Sequence, residues 1–181
     1  MVVMLTIADS APDFTLPGVL GDAVRDYSLR DMRGRWLVLF FYPADFTFVC
    51  PTEITGFHRH AAAFRAESAE IYGVSIDSVD SHRAWVKELG GIAYPLLSDA
   101  TRQVSRAYQV LHPRENVAIR ATFVIDPVGA IQHSAACNMN VGRSVEDTLR
   151  VLRALRTGRL CPADWCPGEA LGDPVSEPGQ Y

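Results

Sequence analysis

The sequence predicts an α/β fold, a mixed central sheet with helices on both faces, and three features carry that reading. The run Trp36-Leu37-Val38-Leu39-Phe40-Phe41 is apolar at every position, so it reads as a strand covered on both sides. Strand-like and helix-like stretches then alternate along the chain. Near the end, Asp126-Pro127-Val128-Gly129 separates two strand-like runs and signals an antiparallel hairpin.

In chain order, Phe14-Thr15-Leu16-Pro17 and Tyr27-Ser28-Leu29 read as an added N-terminal hairpin. Pro43 breaks the central strand. Ile54, Phe57, Ala61 and Phe64 recur at helical spacing, so a helix starts near Pro51, a residue suited to a first turn, and runs to about Glu67. Residues 71–76 form a second short strand. Ser81 is placed to cap a helix whose inner face is Trp85, Val86 and Leu89. Asp99 is placed to cap another, with Val104, Ala107 and Tyr108 inward. After the hairpin of 121–125 and 130–133, Ser144 opens a last helix. It has Asp147 in a capping-box-like place and a stripe of Val145, Leu149, Leu152 and Leu155. The 21 residues from Cys161 hold four prolines and three glycines and read as a loosely packed tail. One domain over residues 1–160 and a tail over 161–181 is the expected organisation.

The bulk numbers narrow the function. A length of 181 residues suits one domain, and 48% apolar with 21% charged residues is ordinary for a globular chain. A net charge of −4 without a clustered basic face argues against nucleic acid as a partner. No stretch approaches the ~18 uninterrupted apolar residues of a membrane span. The start, Met1-Val2-Val3-Met4, lacks the basic region of a signal peptide, so a cytoplasmic protein is expected.

In a reducing compartment the four cysteines, Cys50, Cys137, Cys161 and Cys166, point to catalysis or metal rather than to structural bridges. Zinc fits poorly. Cys161 and Cys166 could supply two ligands, but no second close pair follows and the five histidines are scattered. No metal and no cofactor are expected. Cys50 sits where a strand gives way to a helix, and helix-terminal N–H groups favour a thiolate there. By position alone it reads equally as a small buried hydrophobe.

The surrounding residues decide between these readings. Pro43-x3-Thr47-x2-Cys50 with Cys50-Pro51-Thr52-Glu53 resembles the signature of the typical two-cysteine peroxiredoxins. Further matches are Ala11-Pro12-Asp13-Phe14, Gly73-Val74-Ser75-Ile76-Asp77, Arg120-Ala121-Thr122-Phe123, Val141-Gly142-Arg143-Ser144 and Leu160-Cys161-Pro162-Ala163. The likeness spans nearly the whole chain and is similar in particular to the C subunits of bacterial alkyl hydroperoxide reductases. It implies a thioredoxin-like fold and a thiol-dependent peroxidase, active on hydrogen peroxide and organic hydroperoxides in antioxidant defence.

By the same resemblance, Cys50 is the peroxidatic cysteine. Thr47 and Arg120 hold the sulfur and the peroxide, Pro43 shields the thiolate, and Glu53 with Arg143 is the supporting pair. Cys161 matches the resolving cysteine, which implies a Cys50–Cys161 disulfide between subunits, a homodimer, and rings of five dimers. The reductase that restores the thiols is open between a flavin-dependent partner, a thioredoxin and a carboxymuconolactone-decarboxylase-like protein. Cys166 stands where relatives carry a basic residue, and it reads as either a redox relay or an incidental thiol. Cys137 has no counterpart and reads as structural.

An ordinary cysteine of pKa ~8.5 is about 3% thiolate at pH 7, so full ionisation gains at most ~30-fold, or about 2 kcal/mol. Any larger acceleration needs donors aimed at the breaking O–O bond, and Thr47 and Arg120 are available. Two rivals differ in class. A redox-gated peroxide sensor or chaperone-like ring would turn over little, and a thiol–disulfide oxidoreductase of the same fold would need a Cys-x-x-Cys that is absent.

Overall fold

The computed structural model describes residues 5–173. Its strands are β1 (Thr15–Leu20), β2 (Ala23–Ser28), β3 (Trp36–Phe41), β4 (Ala69–Ser75), β5 (Leu96–Ser98), β6 (Arg120–Ile125) and β7 (Ile131–Cys137). Its helices are α1 (Cys50–Ala66), α2 (Val79–Glu88), α3 (Gln103–Ala107) and α4 (Val145–Thr157). The strands form one sheet in the order β2-β1-β5-β4-β3-β6-β7. This is the mixed sheet flanked by helices that the sequence predicts. Strand β3 pairs in parallel with β4 and antiparallel with β6.

The apolar run of β3 is buried because both of its faces are covered. Leu37, Leu39 and Phe41 join a core under the N-terminal segment and α3, with Phe14, Tyr27, Met32 and Tyr108. Val38, Phe40 and Tyr42 point the other way, into a core with Ile54, Phe57 and Phe64 of α1, Trp85 of α2 and Leu149 and Leu152 of α4. Phe40 stacks on Phe57 at 4.4 Å, which anchors α1 to the sheet. Fully burying a side chain of that size stabilises by about 1.5–3 kcal/mol. On neighbouring β4 only a glycine fits beside Phe40. A Cβ on Gly73 would lie 2.7 Å from Phe40 Cζ and 2.8 Å from Leu96 Cδ2.

The expected N-terminal hairpin is present as β1 and β2, and it extends the sheet because β1 pairs antiparallel with β5. Three local expectations are corrected. Ser78, not Ser81, caps α2 by accepting from Ser81 N, and Ser81 spends its hydroxyl on Asp45. Asp99 accepts from Val104 N and Ser105 N, as a cap would, but it does so from before Arg102, which holds the N-cap place in the left-handed region. Ser105 is buried there and Ala107 is exposed, because Ser105 Oγ donates to Asp99 and draws that side of the helix inward. In its described part the tail is mostly exposed, with two points of attachment. Leu160 bridges to Gly172, and Trp165 is buried, removing an indole from water.

Helices α1 and α4 lie side by side and run the same way. Gly56 in the second turn of α1 meets Val145 at the start of α4. Glu67, just past the end of α1, pairs with Arg153 at 3.1 Å and with Arg156, both late in α4. Among the described residues no helix is long and apolar enough to cross a membrane.

Candidate active site

The site forms at the carboxyl end of β3, where the chain leaves the sheet and enters α1. Register puts its parts together. Phe41 of β3 faces Ala121 of β6, so Arg120 stands at the same end of the sheet as the loop of residues 42–49. Cys50 is the first residue of α1, preceded by Val49 as N-cap and followed by Pro51. Its side chain is wholly buried. Tyr94 OH donates to Ile54 O at 2.8 Å and pins this first turn to the core.

Arg120 reaches the sulfur. Its Nη1 donates to Cys50 Sγ at 3.2 Å and to Glu53 Oε2 at 2.6 Å, while its Nε donates to Met139 O at 2.7 Å. The carboxylate of Glu53 is shared with a second arginine: Arg143 donates from its backbone N at 2.9 Å and from Nε at 2.8 Å to Glu53 Oε1. Arg143 also donates to Ala121 O, Thr122 Oγ1 and Phe41 O, and lies over the Phe40 ring at 5.2 Å. Cys50, Glu53, Arg120 and Arg143 therefore form one buried cluster of two guanidiniums and one carboxylate. An anion on the sulfur makes that cluster neutral. Buried charge is costly unless matched, and the two guanidiniums share a single carboxylate.

The remaining predicted residues are placed less uniformly. Pro43 is buried in the loop after β3. Thr47 is exposed, and its hydroxyl donates to Ala44 O at 3.3 Å rather than to the sulfur. Cys161 lies elsewhere. Its Sγ is 3.5 Å from Thr157 Oγ1 and 3.7 Å from Ala154 O, at the far end of α4. Cys166 is exposed, with its backbone N donating to Glu169 Oε2 at 2.8 Å. Cys137 is the last residue of β7 and pairs with Arg120. All four cysteines are free thiols. Among the described residues no group of three His, Cys, Asp or Glu gathers to hold a metal.

Sequence reasoning missed a second buried polar cluster beside the first. Asp45 and His82 pair at 2.8 Å with side chains 1% and 0% exposed, and Tyr42 and Ser81 donate to the same carboxylate. The signal available was Asp45 itself, a charge between Pro43 and Thr47 in a stretch otherwise read as active-site loop.

Comparison with known proteins bears on the family and the fold. Residues 7–134 match the model of the AhpC/TSA family. The chain is 45% identical over 174 residues to the chloroplastic 2-Cys peroxiredoxin BAS1 of Hordeum vulgare, covering 90% of this chain and 83% of that protein. The reduced 2-Cys peroxiredoxin of Plasmodium vivax superposes with a TM-score of 0.86 at 37% identity, over 91% of each chain. AhpC of Mycobacterium tuberculosis superposes with a TM-score of 0.83 at 38% identity, over 91% of this chain and 100% of that one.

Proposed function

The chain belongs to the AhpC/TSA family and is a thiol-dependent peroxidase of the two-cysteine peroxiredoxin type, and we propose that Cys50 is its attacking sulfur. One observation carries this: a fully buried sulfur 3.2 Å from a guanidinium, in a cluster that an anion completes. The thiolate attacks the terminal oxygen of the peroxide, the O–O bond breaks, and the departing alkoxide or hydroxide takes a proton to leave as alcohol or water. Cys50 is left as a sulfenic acid. Nε and Nη1 of Arg120 are engaged by protein groups, which leaves Nη2 to follow the charge that develops on the breaking bond. Glu53 and Arg143 hold that guanidinium still, Pro43 walls the sulfur from water, and Thr47 turns its hydroxyl from Ala44 O toward the bound peroxide. The test is peroxide consumption with dithiothreitol as reductant. Cys50→Ser abolishes it, and consumption that persists in that variant overturns the assignment.

Cys161 serves as resolving cysteine from a second subunit. Cys50 lies beside the start of α4 and Cys161 beside residues 154–157, so roughly 14–18 Å of helix separates them within one chain. A disulfide spans only ~4.4–6.8 Å between Cα atoms, so pairing within a subunit would require unfolding. In the proposed step Cys161 attacks the sulfenic sulfur of the partner subunit's Cys50, expels water and forms the disulfide. Oxidised protein then runs as a covalent dimer on a non-reducing gel, and Cys161→Ser runs as a monomer. An oxidised wild type that stays monomeric refutes the intersubunit cycle.

The tail, taken as residues 161–181 apart from a domain of 1–160, has a functional role in this reading. Cys161 lies over Ala154 and Thr157 on α4, and Cys166 follows it five residues later with an exposed sulfur. In the relay reading the thiolate of Cys166 displaces Cys50 from Cys161 and presents a tail disulfide to a reductase. Full turnover of Cys166→Ser with the physiological reductant removes this relay. A homodimer that closes into a ring of five dimers, in the cytoplasm, completes the proposal. It is supported by the open edge of β7, where Ser134, Ala135 and Ala136 are exposed, and by the four unpaired thiols. A flavin-dependent reductase, a thioredoxin or a carboxymuconolactone-decarboxylase-like protein would supply the electrons. The alternative of a sensor or chaperone-like ring with little turnover is not favoured.

A further inference from the structure

Two residues before Thr47 the chain passes through Asp45, and three separate elements converge on it. Its Oδ1 accepts from Tyr42 OH at 2.8 Å, at the end of β3. Its Oδ2 accepts from Ser81 Oγ at 2.7 Å and from His82 Nδ1 at 2.8 Å, both on α2. Its backbone N donates to Asp77 Oδ2 at 2.9 Å, after β4. Asp77 is held in turn by Ser75 Oγ at 2.7 Å, and its own carbonyl accepts from Ser98 Oγ at 2.6 Å, at the end of β5.

The ring of His82 faces acceptors on both sides. Nδ1 meets the Asp45 carboxylate and Nε2 meets Leu97 O at 3.2 Å. A carbonyl only accepts, and this carboxylate already receives two hydroxyl donors, so the ring satisfies the site by donating from both nitrogens. Ring and carboxylate thus form a fully engaged pair, buried at 0% and 1% side-chain exposure. Such a pair is costly to assemble and fixes geometry more than it adds stability.

What it fixes is the turn that carries Thr47. Phe46, between Asp45 and Thr47, has φ +54, a left-handed conformation that a bulky side chain rarely adopts. Its ring is half exposed and leans on Trp85 of α2 at 6.0 Å, and Trp85 in turn lies on Tyr42 at 5.8 Å. A strained residue persists only where its surroundings over-determine it. Here the surroundings are the Asp45 clamp on one side and the α2 aromatic on the other. The hydrogen bonds of the Asp45 clamp are separate from those of Cys50 and Arg120, which belong to α1 and β6.

We propose that His82 is a positioning residue for peroxide reduction: through Asp45 it clamps the 45–47 turn to α2 and so aims Thr47 at the peroxide, independently of the arginines that hold the sulfur. This rests on the reading of Thr47 as a peroxide-binding residue, and the test separates the two.

The experiment is a double-mutant cycle on the full chain, reading the stopped-flow rate of Cys50 oxidation by hydrogen peroxide and the rate of Cys50 alkylation by iodoacetamide. Alkylation reports the thiolate and its arginines but needs no aimed hydroxyl. His82→Asn is expected to slow oxidation about tenfold, the scale of a small misplacement of a positioned group. Alkylation should stay within about twofold, and Thr47→Val should remove most of the His82→Asn effect. Ser81→Ala, which deletes one hydrogen bond to Asp45 and leaves the ion pair, should give a smaller loss of the same kind, and it decides the matter if His82→Asn does not fold. An equal loss in the Thr47→Val background, a parallel fall in alkylation, or no loss in either variant overturns the proposal. If Thr47→Val alone oxidises at the wild-type rate, the underlying reading of Thr47 fails instead.

Discussion

Replacing Arg120 with alanine separates two roles that a guanidinium near a sulfur can have. If it only ionises Cys50, its removal costs at most the ~30-fold set by the thiolate fraction of an ordinary cysteine at pH 7. The geometry predicts more. The guanidinium lies 3.2 Å from the sulfur, close enough to act also on charge that develops beyond it. Deleting one donor aimed at developing charge typically costs 10²–10³-fold, and multiplying the lower value by the ~30-fold ionisation factor gives about 3 × 10³.

The assay is the second-order rate of Cys50 oxidation by hydrogen peroxide, measured by stopped flow over a pH series. Arg120→Ala should fall 10³–10⁴-fold below wild type near pH 7, and about 10²-fold of that deficit should persist near pH 10, where any cysteine is ionised. Glu53 keeps Arg143 as its partner at 2.8 Å, so the buried carboxylate is not stranded, and circular dichroism should show a folded variant. Convergence of variant and wild type at high pH would refute the argument, because it would leave Arg120 with ionisation alone.

Other perturbations test other parts of the structure. Glu53→Gln leaves two buried guanidiniums without their shared carboxylate and should lower stability in urea by about 3–5 kcal/mol, and an unchanged midpoint counts against the cluster. Gly73→Ala sets a methyl against Phe40 and Leu96 and should cost about 1–3 kcal/mol in the same assay, whereas a neutral or stabilising result would mean that the β3–β4 packing is looser than described. Burial holds His133 below the ordinary histidine range, with Arg150 acting in the same direction and Asp147 opposing. Its folded pKa is thus below its unfolded one, so the penalty is absent above about pH 6.5 and grows as pH falls through that value. His133→Gln should flatten the loss of melting temperature between about pH 7 and pH 5, and an unchanged slope would show that other groups carry it.

How much of this was legible in the sequence depended on where the determining interactions lie along the chain. Strand β3 could be read to the residue, because an apolar run without alternation has one structural solution when both faces are covered. Cys50, Glu53, Arg120 and Arg143 were legible only as a resemblance. Their spacings of 70 and 90 residues say nothing locally, and it is the Phe41–Ala121 register that brings them together.

Cap assignments failed where a hydroxyl had a better partner elsewhere. Ser81 looked like a cap because a serine before an apolar helical stripe usually is one, but a buried carboxylate 36 residues away claimed its proton. The same long-range clamp hid His82, which sits three residues before Trp85 on a helix and so looks like one more scattered histidine. Thr47 shows the converse. The motif names it, yet its hydroxyl rests on Ala44 O, so its place in the reaction depends on the turn that Asp45 and His82 hold rather than on its own hydrogen bond. In the proposed mechanism the motif names Thr47 as a group that meets the peroxide, and the buried pair, absent from the motif, is what would aim it.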